Sequence, residues 1–268
     1  MRRVSLPLIA QILLLALVYF GAARLGLSLA ALHSNVTPVW PPTGIAIAAL
    51  LIFGRRVWPG VFVGALAANF LTSIPAGSTV GIAAGNTLEA LAAVWLLQRV
   101  ARWRNSLDSV ADVMRFVGCA AVLAPMVSAT IGSSSLCFGG AAQWANFWSL
   151  WLTWWIGDGF GALIIAPFVL SWRSPADLNT GHAVEITILL LLHLLVVMIV
   201  FGGWFPGSVK TYPLAYLSLP FLLWAALKFD LRIVTSAIVL MAGVAVWGAK
   251  HGYGPWVQAN PNIALILL

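Results

Sequence analysis

Apolar runs follow one another along almost the whole chain, separated by short polar connections. Most runs approach the roughly 20 apolar residues that a helix needs to cross the hydrocarbon core of a bilayer. The pattern predicts an all-α fold, a polytopic transmembrane helical bundle of about eight to ten spans. We place the spans at residues 5–32, 41–54, 57–74, 79–98, 113–136, 147–170, 184–203, 213–227 and 233–249, with a tenth beginning near residue 262.

The connection after the first span, HSNVTPVWPPTG at residues 33–44, cannot be a continuous helix. Pro38, Pro41 and Pro42 lack an N–H group, and each restricts the preceding residue to extended conformations. A new helix can start at Pro41 or Pro42. The second span then covers roughly 21 Å, short of a core of about 30 Å. We therefore predict a broken or short helix after the first span, with an ordinary outer loop as the alternative.

Composition and charge agree with a membrane protein. Hydrophobic residues make up 62% of the chain and charged residues only 8%, too few to cover a soluble domain. The net charge of +7 follows the positive-inside rule, because an N-terminus in the cytoplasm puts eleven of the basic residues inside and two outside. Those inside are Arg2, Arg3, Arg55, Arg56, Arg99, Arg102, Arg104, Arg115, Arg173, Lys228 and Arg232; those outside are Lys210 and Lys250. The basic excess predicts contact with lipid headgroups and not with nucleic acid.

Several other site classes find little support in the sequence. The first apolar run is too long for a signal peptide and has no clear cleavage motif, so we interpret it as an uncleaved span. Cys119 and Cys137 lie at opposite ends of one predicted helix, beyond the reach of a disulfide. The scattered histidines and cysteines form no metal-binding pattern, so neither a metal nor a cofactor is predicted.

Acidic and amide side chains inside the apolar runs are the candidate functional groups. Asp158 and Glu89 fall in the middle third of their predicted spans, as Asn69 does, and Asn86 lies three residues before Glu89. A carboxylate at this depth is costly and usually faces the interior of a bundle, where it finds a partner. His193 also lies at this depth; we interpret it as a core histidine, with a proton carrier as the alternative.

Tryptophans lead towards Asp158 along its predicted helix. Trp144, Trp148, Trp151, Trp155 and Asp158 are spaced four, three, four and three residues apart, which places them on one helical face. Two interpretations remain open. The stripe packs against a neighbouring helix, or it forms an aromatic wall at the entry to a polar site.

Arg24 is the strong cation inside a predicted span. We predict an intramembrane ion pair between Arg24 and either Asp158 or Glu89, because pairing lowers the cost of burying both charges. The alternative is that Arg24 extends to the outer interface. Close helix packing is predicted at the G-x-x-x-G pairs Gly60 and Gly64, Gly81 and Gly85, and Gly157 and Gly161.

Four segments together carry a family resemblance: SNVTPVWPPTGIAIAALLIFGRRVWPGVFVGALAANF, AAGNTLEALAAVWLLQRV, SATIGSS and WWIGDGFGALIIAPFVLSW. In this order they resemble the membrane-associated sensor domain of the first type, abbreviated MASE, from about residue 10 to the end. The matching family positions are Trp40, Pro41, Pro42, Gly44, Trp58, Pro59, Gly60, Asn69, Asn86, Glu89, Trp155, Gly157, Asp158, Gly161 and Pro167. The candidate sensing residues are Trp151 and nine members of this set: Trp40, Pro41, Pro42, Gly44, Asn69, Asn86, Glu89, Trp155 and Asp158.

The resemblance implies a sensory input module of the bacterial inner membrane that relays a signal to a cytoplasmic histidine kinase, diguanylate cyclase or phosphodiesterase. The sequence contains no such output domain, and its last apolar run stops after seven residues, so we expect one membrane domain over 1–268 with a truncated final span and no catalysis of its own. The expected partners are the bilayer, a small molecule or membrane protein as signal, a cytoplasmic effector and, in a homodimer, a second copy. A secondary transporter that uses the intramembrane carboxylates is the alternative function.

Overall fold

A computed structural model of the chain describes residues 6–29, 39–103, 107–173, 182–204 and 214–254. Across these residues the regular structure is helical and contains no strand, which confirms the all-α prediction. The helices are α1 (Leu8–Ser28), α2 (Pro41–Phe53), α3 (Trp58–Phe70), α4 (Ala76–Trp95), α5 (Val110–Phe116), α6 (Pro125–Phe138), α7 (Phe147–Trp172), α8 (Ala183–Val200), α9 (Leu219–Lys228) and α10 (Leu231–Lys250).

Each of the nine predicted apolar segments contains a helix, but the helices differ in length. In the described part of the chain, six helical stretches are long and apolar enough to cross a membrane: Leu8–Ser28, Ala76–Val100, Val110–Phe138, Trp144–Trp172, Ala183–Val200 and Leu231–Lys250. Helices α2 and α3 have 13 residues each and α9 has 10. The predicted short helix after the first span is therefore confirmed. The predicted tenth segment lies outside the described residues.

Prolines and a glycine fix the limits of α2. Pro41 and Pro42 occupy its first two positions, and Trp40 before them has the non-helical dihedrals φ −108° and ψ 87°. Since a first-turn N–H has no partner within a helix, two prolines remove donors that the buried helix end could not satisfy. The helix ends at Gly54, whose φ of 87° favours glycine. A 3₁₀ turn over Arg55–Val57 then leads into α3.

The fifth predicted span is continuous but not uniform. Between α5 and α6 the backbone forms a π-helical segment, Val117–Leu123. Pro125 at the start of α6 cannot donate to the carbonyl of Ala121, four residues earlier. That carbonyl faces α7, where a Cβ added at Gly159 would lie 2.7 Å from its oxygen. The irregular segment therefore lets α7 approach closely at a point where the helical hydrogen bonds are already interrupted.

The described residues form two compact units, one ending at Ala166 and one beginning at Pro167. In the first unit, glycines allow close packing of helix pairs. A Cβ at Gly60 would lie 2.6 Å from the carbonyl oxygen of Ile12, and one at Gly64 would lie 2.7 Å from that of Ala16, so α3 packs tightly on α1. Gly81 and Gly85 of α4 face Ser135 and Ile131 of α6 in the same way.

The second unit contains the end of α7 and helices α8, α9 and α10. Its buried clusters join Leu189 to Ala225 and Ile233, and Val197 to Phe201 and Ala245. His193 is fully buried, and its Nε2 atom lies 3.2 Å from the carbonyl oxygen of Ala237. This hydrogen bond to the backbone of α10 agrees with the interpretation of His193 as a core residue.

Candidate functional site

The start of α2 docks directly on the middle of α7 through main-chain atoms. The N–H of Trp40 donates to the carbonyl of Gly157 over 2.9 Å. A Cβ at Gly161 would lie 2.0 Å from the carbonyl oxygen of Trp40, and one at Gly44 would lie 2.3 Å from that of Gly161. No larger residue fits at either glycine without a backbone shift, so the two glycines set how closely the helices approach.

Asp158 lies immediately beside this junction and accepts hydrogen bonds from two other helices. Thr43, in the first turn of α2, donates its hydroxyl to Oδ1 of Asp158 over 2.9 Å. Ser128 of α6 donates its hydroxyl to Oδ2. Asp158 is 0% exposed, Ser128 is 0% exposed and Thr43 is 3% exposed. The carboxyl group is therefore fully enclosed and held by hydroxyl groups on both oxygens.

Glu89 of α4 completes a cluster to which four helices contribute one polar side chain each. The Thr43 hydroxyl oxygen also lies 3.4 Å from Oε2 of Glu89, and Glu89 is 1% exposed. One hydroxyl group thus lies within reach of both carboxyl groups. We call Thr43, Glu89, Ser128 and Asp158 the four-helix polar cluster.

The cluster contains two neighbouring carboxyl groups, and its electrostatics depend on which groups offset their negative charges. Among the described residues no lysine, arginine or histidine forms an ion pair with Glu89 or Asp158. The N-terminus of α2 provides only a partial positive charge there. Two ionised carboxylates buried side by side would be very costly, so protonation of at least one of them or a nearby positive charge would stabilise the pair.

A second group of polar side chains adjoins the cluster on the side of α1. Asn86 donates its amide to the hydroxyl oxygen of the fully buried Tyr19 over 3.0 Å. Three buried polar atoms around this point find no hydrogen-bond partner among the described residues: Trp40 Nε1, Asn86 Oδ1 and Glu89 Oε1. Buried polar atoms are normally satisfied, so an indole donor and two oxygen acceptors give this region unused capacity to bind a polar guest.

Comparison with known proteins identifies the family of the chain. The MASE1 family model matches residues 11–268. The chain belongs to the MASE1 family. The chain is similar to the probable diguanylate cyclase DgcE of Escherichia coli (strain K12), with 25% identity over 256 residues. That match covers 94% of the present chain and 22% of the relative, so the chain spans about a fifth of the relative's length. No solved structure matches the chain significantly.

Membership of MASE1 identifies the chain as a membrane sensory domain. Of the candidate sensing residues, the structure brings Trp40, Pro41, Pro42, Gly44, Asn86, Glu89 and Asp158 together around the α2 and α7 junction. Thr43 and Ser128 belong to the same site but were not singled out by the sequence. Thr43 follows the two prolines directly and Ser128 opens the SATIGSS segment, so both lie in the segments that carry the family resemblance.

Asn69 does not join the polar cluster of this MASE1 domain. Its amide donates to the carbonyl of Ala65, one turn earlier in α3, over 2.9 Å. The amide is therefore satisfied by its own helix. The prediction that Asn69 takes part in sensing is not supported by a contact among the described residues.

The tryptophan stripe forms a continuous ladder of rings beside α6. The rings of Trp151 and Trp155 stack with centroids 6.0 Å apart, and Trp148 follows at 6.1 Å from Trp151. Trp151 donates to the Thr130 hydroxyl and Trp155 donates to the carbonyl of Val122. These hydrogen bonds favour the packing interpretation of the stripe. Trp154, not a member of the stripe, is the tryptophan of α7 that is buried on the side of Asp158.

Arg24 does not reach either acid. The buried face of α1 carries Leu15, Tyr19, Ala23 and Gly26, and Arg24 lies off this face with an exposed side chain. No ion pair between Arg24 and Glu89 or Asp158 is found among the described residues. The structure instead places Arg24 at a cavity near the end of α1. This placement corrects the predicted ion pair and is closer to the alternative, in which Arg24 extends to an interface.

Proposed function

We propose that the chain is the input domain of a bacterial inner-membrane signalling protein. It detects a small ligand, a membrane-borne cue or a partner membrane protein, and it relays that event to a cytoplasmic effector. We also propose a second copy of the chain as a partner, in a homodimer. Membership of MASE1 supports the sensory role, and the similarity to a probable diguanylate cyclase of E. coli supports a cyclase as one type of effector. No catalytic step is assigned to the chain itself.

The observation that carries the proposal is the position of the Thr43 hydroxyl between two acids on different helices. A hydroxyl group has one proton and can donate to one carboxyl group at a time. The site therefore has two alternative hydrogen-bond arrangements, one in which Thr43 donates to Asp158 on α7 and one in which it donates to Glu89 on α4. An event that moves the start of α2 shifts the balance between them.

Helix α7 provides a route for this shift. From the junction at Gly157 it runs on towards the connection that we expect in the cytoplasm. A cue changes the balance only to the extent that it binds one arrangement better than the other. The candidate place for such a cue is the region of unpartnered atoms at Trp40, Asn86 and Glu89.

The test replaces the matched region of the E. coli relative with this chain and measures cyclic-di-GMP in cells lacking the native relative. We expect Thr43→Val and Asp158→Asn to change the cyclic-di-GMP level without changing the amount of chimaera in the membrane. Thr87→Val is the matched control, because Thr87 is equally buried but donates to Ala83 in its own helix.

Equal effects of Thr43→Val and Thr87→Val would contradict the proposed role of the junction. The transporter alternative is tested separately in proteoliposomes. Solute or cation flux that Asp158→Asn abolishes would replace the sensory proposal with a transport function.

A further inference from the structure

A cavity of about 680 Å³ opens at the end of α1, away from the four-helix polar cluster. It lies between Arg24 and Ser28 of α1, the connection from α3 to α4 at Thr72 to Pro75, and the turn at Gly140. Its volume is within the range of small-molecule sites, which is roughly 300 to 1,000 Å³. Nothing in the proposed function uses this cavity.

Arg24 is the charged residue among the described residues that line the cavity, and these include no acid. Among the described residues Arg24 forms no ion pair. The acids of the first unit lie elsewhere: Glu89 and Asp158 are buried in the polar cluster, and Asp108 and Asp112 follow the other end of α4. A helix of 20 residues separates that end from Pro75, which is about 30 Å. The guanidinium therefore faces a cavity with no counter-charge from its own unit.

The start of α4 adjoins the same cavity, because Pro75 lines it. Pro75 precedes the first turn of α4, which has neither a side-chain cap nor an acidic residue. The first N–H groups of a helix have no partner within it and carry the positive end of the helix dipole. Ser73 contributes an exposed hydroxyl on the same connection. A cation and a hydroxyl thus line one space beside an uncapped helix start, an arrangement that suits an anion.

We propose that this cavity binds an anionic oxygen group, a phosphate or carboxylate, through the Arg24 guanidinium. The anion comes either from a lipid headgroup or from a soluble ligand, and both sources present the same chemistry to Arg24. The inference does not depend on the proposed function, because binding at this cavity is measured without any signalling output.

The test uses the full chain purified in a maltoside detergent, in buffer free of phosphate and sulfate. One arm adds inorganic phosphate and follows the midpoint of thermal unfolding, and the other adds phosphatidylglycerol and counts bound lipid by native mass spectrometry. We expect saturable binding of at least one probe by the unsubstituted chain. Arg24→Gln should weaken that binding by about tenfold or more, the range for losing a charged hydrogen bond. Arg24→Lys should weaken it less.

Arg56→Gln is the matched control, because Arg56 is also exposed and lies in the turn before α3. Ser73→Phe is the second variant, because it fills the cavity without removing the charge of Arg24. If Arg24→Gln fails to fold, loss of anion binding in Ser73→Phe tests the proposal instead. Binding of phosphate alone identifies a soluble anion, and binding of lipid alone identifies a headgroup. The absence of saturable binding of both probes, or equal losses in Arg24→Gln and Arg56→Gln, would overturn the proposal.

Discussion

The Thr43 hydroxyl shows how a small side chain can connect three helices. It donates to Asp158 on α7 and lies within 3.4 Å of Glu89 on α4. Thr87 has the same side chain, equally buried, but its hydroxyl donates to Ala83 in its own helix. Comparison of these two threonines separates the loss of an interhelical hydrogen bond from the loss of a buried hydroxyl.

We expect Thr43→Val to lower the free energy of unfolding by about 1.5–3 kcal/mol, the value for a hydrogen bond to a charged group. Thr87→Val should lower it by less than about 1 kcal/mol, because the carbonyl of Ala83 keeps its helical partner. Reversible unfolding in detergent measures both. Equal destabilisation by the two substitutions would show that the interhelical bond contributes nothing.

The serines of α6 provide a second residue-scale prediction. Ser128 donates to Asp158, whereas Ser133, also 0% exposed, has no hydrogen-bond partner among the described residues. We expect Ser128→Ala to destabilise the protein by about 1.5–3 kcal/mol, and Ser133→Ala to be neutral or stabilising, because it removes an unsatisfied buried hydroxyl. The same unfolding measurement applies, and destabilisation by Ser133→Ala alone would contradict the assignment.

The acids of the site could be predicted from the sequence, but their hydroxyl partners could not. A carboxyl group inside an apolar run is rare and costly, so Asp158 and Glu89 attract attention at once. Hydroxyl groups in apolar helices commonly donate to their own backbone, as Thr87 and Thr153 do here. The sequence does not distinguish Thr43 and Ser128 from these. Arg24 was wrongly paired because charge alone does not reveal on which face of α1 it lies.

At the scale of elements, the contact between α2 and α7 depends on glycines. A Cβ at Gly161 would lie 2.0 Å from the carbonyl oxygen of Trp40, whereas one at Gly21 in α1 would meet nothing within 4 Å. We expect Gly161→Ala to destabilise the protein by about 1–3 kcal/mol through overpacking. Gly21→Ala should be neutral or stabilise it by up to about 1 kcal/mol, since alanine favours helix.

Thermal unfolding and the yield of monodisperse protein in size-exclusion chromatography measure both glycine substitutions. A Gly161→Ala protein as stable as the unsubstituted chain would mean that α2 can move away from α7 at little cost. That outcome would also weaken the proposed relay, which requires a close contact at this point.

The prolines predicted the start of α2 correctly, but the π-helical segment before α6 was not foreseen. Pro38, Pro41 and Pro42 exclude a helix for local reasons that a sequence makes visible. The π segment also precedes a proline, Pro125, but a proline inside an apolar run is equally compatible with a kink. Its form depends on α7, because Trp155 donates to Val122 and Gly159 approaches Ala121.

At the scale of the whole molecule, the sequence was sufficient for the fold class and for the helical segments, but not for which helices meet. Helices that are apolar on all sides lack the polar face that would indicate their orientation. The acids of α4 and α7 could therefore be recognised as interior groups, while their meeting at the start of α2 required the structure.

The orientation of the molecule is a prediction that cysteine labelling can test. Ser73 and Arg56 are both exposed and lie at opposite ends of α3. With Cys119 and Cys137 replaced, an impermeant maleimide added to intact spheroplasts should label a Ser73→Cys protein and leave an Arg56→Cys protein unlabelled, as the positive-inside rule requires. The reverse pattern would place the N-terminus outside.

The junction between α2 and α7 is built largely from main-chain atoms of Trp40, Gly157 and Gly161. Such a contact is indifferent to the side chains around it, provided that the glycines remain. Two proteins with this joint can therefore differ in many neighbouring side chains while α2 and α7 approach each other equally closely.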